Sequence, residues 1–181
     1  HDALPISTTF ANTGTLALGN GGDTINFTGG VIATAPSAVT VNGTVTAAGT
    51  GVINLGVPVS VNANTTIGGT STGNITLGAA TLVDSATLTV GTGIANAISL
   101  SSVSGTASGT SSNLTINTTG AVTVSGAIGT DIGTIISGEV LTDDDGGDAR
   151  ADGTISTSNV SLDGTGNTDI RAATVLSSAA Y

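Results

Sequence analysis

The chain of 181 residues contains no Cys, Lys, Gln, Met or Trp, and each absence removes a class of chemistry or structure. Without Cys there is no disulfide, no thiolate nucleophile and no Cys-ligated zinc. With Arg150 and Arg171 as the only cations, there is no basic patch to meet a phosphate backbone. A formal net charge of −10 repels nucleic acid and an anionic membrane surface alike. The sole histidine is His1, so a Ser or Thr nucleophile lacks the base that would activate it. No apolar run approaches the ~18 residues of a membrane helix. The single Glu is Glu139, so strong helix formers other than Ala and Leu are nearly missing.

What fills the chain instead is small, branched and uncharged. There are 28 Gly and 34 Thr. Charged residues make up 8%, against about 25% in an average protein. Leu, Ile, Val and Phe together number 45, about a quarter of the chain and above the ~20% below which disorder is expected. The chain therefore folds, and its Thr, Val and Ile content fits pleated strands. With two Phe and one Tyr, the core must be thin and aliphatic. A thin core with many glycine turns fits a quasi-one-dimensional stack better than a sphere.

One short pattern recurs, apolar–polar–apolar, which is the period of a strand with one face buried. It appears as Leu16-Ala17-Leu18, Ile25-Asn26-Phe27, Val39-Thr40-Val41, Ile53-Asn54-Leu55 and Val59-Ser60-Val61. It continues as Ile75-Thr76-Leu77, Leu88-Thr89-Val90, Ile98-Ser99-Leu100, Leu114-Thr115-Ile116, Val122-Thr123-Val124 and Val160-Ser161-Leu162. Two or three such strands per turn predict a rung of roughly 20 residues, in the range of stacked β-solenoids. Glycines such as Gly43, Gly56, Gly78, Gly91, Gly105 and Gly126 are placed for corners. The alternative is a set of tandem small antiparallel β-sandwiches, which strands at this spacing also fit.

The run from Asn74-Ile75-Thr76-Leu77-Gly78 through Ala86-Thr87-Leu88-Thr89-Val90 to Ala121-Val122-Thr123-Val124-Ser125-Gly126 carries a resemblance. It is similar to the repeat regions of bacterial surface proteins of the filamentous-haemagglutinin and autotransporter-adhesin type. The likeness covers residues 12–136 and lies in texture, with no invariant motif. It implies a right-handed parallel β-helix, export to the cell surface, and a stalk or adhesive role toward a host or environmental surface, through glycan or protein. Residues 1–7 resemble a translated sequencing-adapter tail, so 1–11 are expected to be a non-native or disordered leader. An acidic Gly/Asp-rich loop is expected at 137–153 and further, truncated solenoid strands at 154–181. The chain reads as a segment of something longer.

Three features bear on chemistry. Asp143, Asp145 and Asp148, with Asp144 between them, sit on a Gly-rich stretch, as carboxylates gathered for Ca²⁺ would. The spacing lacks the Gly and Glu of an EF-hand loop, and a solvated acidic turn explains it equally. Gly19-Asn20-Gly21-Gly22-Asp23-Thr24-Ile25 resembles one copy of the calcium-binding nonapeptide of secreted repeat toxins, with Leu18 where the first Gly belongs and no second copy. N-x-Ser/Thr sequences at Asn26, Asn42, Asn74 and Asn113 follow from Asn and Thr abundance. Thr-rich faces raise a glycan, a partner strand or an ice lattice as ligands, but irregular Thr spacing predicts no ordered row.

No catalytic residue and no resident cofactor is assigned, and the expected function is structural. A calcium-stabilised secreted module and a polysaccharide-active β-helix enzyme are the alternatives. The calcium reading has a direct test: Ca²⁺ should raise the melting temperature, and Asp145→Ala should abolish the rise. An unchanged melting temperature on adding Ca²⁺ removes that reading.

Overall fold

The structure is a computed structural model and describes residues 5–129, 131–143, 154–162 and 174–177. Among these residues there is no helix. Fifteen strands follow in order: β1 (Thr8–Thr9), β2 (Leu16–Phe27), β3 (Gly30–Ile32), β4 (Val39–Ala47), β5 (Val52–Leu55), β6 (Val59–Val61), β7 (Thr65–Gly69), β8 (Ile75–Leu82), β9 (Thr87–Ile94), β10 (Ile98–Gly105), β11 (Ser112–Thr118), β12 (Val122–Val124), β13 (Ile132–Asp143), β14 (Thr154–Leu162) and β15 (Thr174–Ser177). Every paired strand runs parallel to its partner, so no hairpin occurs among the described residues. The chain is a β-solenoid, and the antiparallel sandwich alternative does not hold.

Three faces wind round a common core. The first carries β1, β3, β5, the start of β8, the start of β10 and then β12. The second carries the start of β2, the start of β4, β6 and the end of β8, continuing through Val103 to Ile128. The third carries the end of β2, the end of β4, β7, β9, β11 and the start of β13, followed by β14 and β15. The longer strands bend round a corner and serve two faces. In β4, Val39 to Val41 pair with β6 while Thr44 to Ala47 pair with β7.

Alternation fixes which side chains enter the core. On the first face Val31, Ile53, Ile75, Ile98 and Val122 stack in one buried column, with Leu55, Leu77, Leu100 and Val124 in a second. The third face contributes Val45, Ile67, Val90 and Ile116. Each column places like on like, so aliphatic surface is covered at every rung without any large side chain. Steps between partners on the first face are 22 residues from Val31 to Ile53, 22 to Ile75, 23 to Ile98 and 24 to Val122.

The first turn differs from those above it. Phe10 and Phe27 pack against the core, and their rings meet edge to face at 6.1 Å. The Phe10 amide donates to the Ile32 carbonyl at 2.9 Å, and Phe27 pairs with Ala47, a small residue that leaves room for the ring. Residues 8–10 of the expected leader are thus built into the first turn. At the other end, β13 runs through Asp143 and pairs with β12 and β14, so strand continues into the stretch read as an acidic loop. Asp145 and Asp148 lie outside the described residues.

One corner explains a run of glycines. Between the third and first faces, Gly29, Gly51 and Gly73 stack directly on one another. A Cβ on Gly51 would lie 2.6 Å from the backbone carbon of Gly29 and 2.6 Å from the Gly30 nitrogen. Successive backbones approach too closely there for any side chain, and the neighbours are backbone atoms that cannot step aside. Gly14, by contrast, has nothing within 4 Å of its Cβ position. Gly51→Ala is expected to cost about 1–3 kcal/mol, the usual penalty of overpacking, while Gly14→Ala leaves stability unchanged. Denaturant melts of the two variants check this.

Candidate interaction face

The outward side of each face is a largely polar row, because every second strand residue points to solvent. On the first face the row is Ile32, Asn54, Thr76, Ser99 and Thr123. On the second it is Ala17, Thr40, Ser60, Thr81 and Ser104. The third face differs in being uniform: Thr24, Thr44, Thr66, Thr89 and Thr115 stand in one register, each the direct partner of the next.

This row corrects the expectation of disordered Thr positions. The steps along it are 20, 22, 23 and 26 residues, which hides it from any fixed-period reading. Loops between strands, with a register shift inside β2 between Leu18 and Asp23, absorb the differences, so the threonines stay aligned. Among the described residues, none of the five hydroxyls is engaged in a hydrogen bond within the protein. Two neighbouring threonines, Thr46 and Thr92, differ in this respect. Thr46 Oγ1 donates to the Ile25 carbonyl at 3.5 Å, and Thr92 Oγ1 donates to the Gly69 carbonyl. No charged residue occurs in β4, β7, β9 or β11. Asp23, at the margin of the face, is the nearest carboxylate in β2.

The face is held in register by buried polar side chains at the corners. Ser71, Asn96 and Thr118 occupy the turn from the third face to the first in three successive rungs and are at most 3% exposed. Ser71 Oγ donates to the carbonyls of Gly51 at 2.6 Å and Gly49 at 3.3 Å. Asn96 Nδ2 donates to the carbonyls of Ser71 and Gly73, both at 2.7 Å. Thr118 Oγ1 donates to those of Asn96 at 2.6 Å and Ile94 at 2.8 Å. Each side chain thereby bonds turn carbonyls of the preceding rung; those of Gly49 and Ile94 also accept backbone amides, from Thr72 and from Asn96 and Thr119. Ser71 and Thr118 also accept the amide two residues on, Gly73 and Gly120, each at 2.9 Å. At the corner before the third face, Thr65 bonds the Val41 and Ala63 carbonyls and Ser112 the Val83 carbonyl.

These corner residues were not legible as buried. A signal for two of them exists: Ser71-Thr72-Gly73-Asn74-Ile75-Thr76-Leu77 and Thr118-Thr119-Gly120-Ala121-Val122-Thr123-Val124 share one pattern. Gly49-Thr50-Gly51-Val52-Ile53-Asn54-Leu55 is a third copy with glycine in the clamp position. The Thr-Gly pair marks the corner, and the residue before it faces inward.

The carboxylate candidates are not brought together into a described site. Asp23 accepts the Asn20 amide at 2.8 Å and closes a turn in which Gly19, Gly21 and Gly22 have φ of 78°, 138° and 73°. Its partner in the next rung is Gly43, which supplies no second carboxylate. Asp131 accepts the Ser111 hydroxyl at 3.1 Å. Among the described residues no group of three His, Cys, Asp or Glu lies together. Asp143 ends β13, and the rest of the acidic cluster falls outside the described residues. A shallow depression of about 260 Å³ is lined by Pro5, Ser7, Gly29, Thr50, Gly51 and Val52, none of them titratable. No helix is long and apolar enough to cross a membrane among the described residues.

Comparison of the chain with protein-family models, with curated proteins and with solved structures finds no match to any of them.

Asn96→Leu removes two donors and leaves the carbonyls of Ser71 and Gly73 buried without partners. A loss of about 2–4 kcal/mol is expected from two unmet groups. Asn96→Asp should lose at least as much, since a carboxylate would then face two carbonyl oxygens. Urea melts against Asn117→Asp, an exposed control one rung on, measure the difference.

Proposed function

We propose that the chain is a structural and adhesive segment of a larger exported surface protein, a spacer whose faces are available for contact. The observation that carries this reading is the self-stacking rung. Each turn repeats the same buried columns and the same uncharged outer rows, so length is extended without new design at each step. With strand spacings of roughly 4.8 Å, the eight levels of the third face advance about 34 Å. Several such segments in tandem make a stalk.

The side chains on offer favour contact over catalysis. Outer rows of Thr, Ser and Asn give hydroxyls and amides at a fixed repeat but no acid–base pair set in a cleft. A low charge density on these rows keeps the faces indifferent to ionic strength. The resemblance of residues 12–136 to adhesin repeat regions points the same way and supplies the expectation of export.

The test is surface labelling. Antibodies raised against the folded chain should bind intact cells that produce the native protein, and external protease should remove the signal. Labelling that requires permeabilised cells overturns the proposal.

A further inference from the structure

The Thr row on the third face asks for a partner with unusual properties. Five methyl and hydroxyl pairs repeat along the solenoid axis from Thr24 through Thr44, Thr66 and Thr89 to Thr115. Their spacing is that of adjacent strands, about 4.7–4.9 Å. Backbone pairing on both sides of β4, β7, β9 and β11, and on one side of β2, fixes this repeat, so the row follows the regularity of the sheet beneath it. Among the described residues the hydroxyls make no internal bond, unlike those of Thr46, Thr65, Thr92, Thr106 and Thr118, which donate to backbone carbonyls.

Several partner classes fail on chemistry. Nucleic acid is repelled by the net charge of −10 and finds no cation on the face. Sugar rings stack on aromatic platforms, and both Phe pack against the core. A cation needs carboxylates or converging carbonyls, which the row lacks. A protein partner would gain little: five strand spacings by five residues give roughly 300–400 Å², against about 800 Å² a side for a stable interface.

A partner that matches a linear repeat needs the same repeat itself. Hexagonal ice presents water oxygens on a lattice whose short axis is close to the strand spacing. Each Thr hydroxyl can take the place of a lattice water, while its methyl fills the space between neighbours and sheds disordered water. Rigidity is essential here, because a mobile row would lose the match; the corner clamps and glycine contacts supply it. We infer that the third face binds ice, with Thr24, Thr44, Thr66, Thr89 and Thr115 as the contact row. This deepens the surface-segment reading by naming what one face contacts, and it rests on that reading only for access of the face to its surroundings.

The experiment uses the whole chain in ice-recrystallisation assays and in partition into a slowly growing ice phase. The chain should slow recrystallisation and enter the ice. Thr66→Tyr with Thr89→Tyr should weaken this about tenfold or more, as loss of a central contact does. Ser60→Tyr with Thr81→Tyr, the same bulk on the second face, should leave it unchanged. Circular dichroism checks that each variant is folded. If the tyrosine pair on the row fails to fold, Thr66→Ser with Thr89→Ser removes two methyls with minimal change in packing and should still reduce ice affinity several-fold. A folded chain excluded from ice like an inert protein overturns the inference, as do equal losses from both faces or no loss from the serine pair. None of these outcomes bears on surface labelling, so the two proposals stand or fall separately.

Discussion

Parallel backbone pairing between successive turns is the constraint from which the remaining features follow. Strands between the two ends of the stack satisfy their amides and carbonyls with the turns before and after them, so neighbouring turns lie one strand spacing apart round the circuit. That single distance decides what each position tolerates. Facing inward, a residue meets its counterparts above and below, and aliphatic columns such as Val31–Ile53–Ile75–Ile98–Val122 result. At the corners, where the chain curls most tightly, backbones meet directly and only glycine fits, as at Gly51 and Gly73.

The corners also show how a solenoid with an irregular repeat remains in register. Turn carbonyls such as those of Gly51, Ser71 and Gly73 lie outside the strand ladders, and leaving them dry would cost more than most single contacts return. Ser71, Asn96 and Thr118 solve the same problem with three different side chains, each reaching back to the preceding rung. The clamp is conserved in geometry though not in residue type. Length differences between rungs are taken up in loops and in register shifts such as those at Leu18/Asp23 and Ile116/Thr118, so steps of 20 to 26 residues on the third face leave its threonines aligned.

The outer surface is a by-product of the same geometry and at the same time its useful part. Stacking converts any residue type repeated at one strand position into a line of identical groups. On two faces the line is mixed, and on the third it is all threonine. A regular line of neutral groups has little to offer an ion, a phosphate backbone or a catalytic transition state. It is suited to a surface that is itself extended and repetitive, and both the spacer role and the ice contact draw on that property.

An all-β chain with a thin core was legible from side-chain type alone. Alternating triplets such as Val39-Thr40-Val41 and Ile75-Thr76-Leu77 specify strands with one buried side, and the shortage of aromatics specifies a thin core; both are local properties of side-chain type. The triplets from Val39-Thr40-Val41 to Val122-Thr123-Val124 also turn their apolar residues inward as the alternation predicts, since that alternation is independent of what lies next to the strand. Three things were decided only by the tertiary structure. Parallel stacking in place of antiparallel sandwiches depends on which strands meet, and the two arrangements share one local pattern. Burial of Asn96 and Thr118 depends on where a corner turns, so polar type alone pointed outward. The threonine row depends on register across turns of unequal length, and register is a relation between strands that no fixed sequence period records.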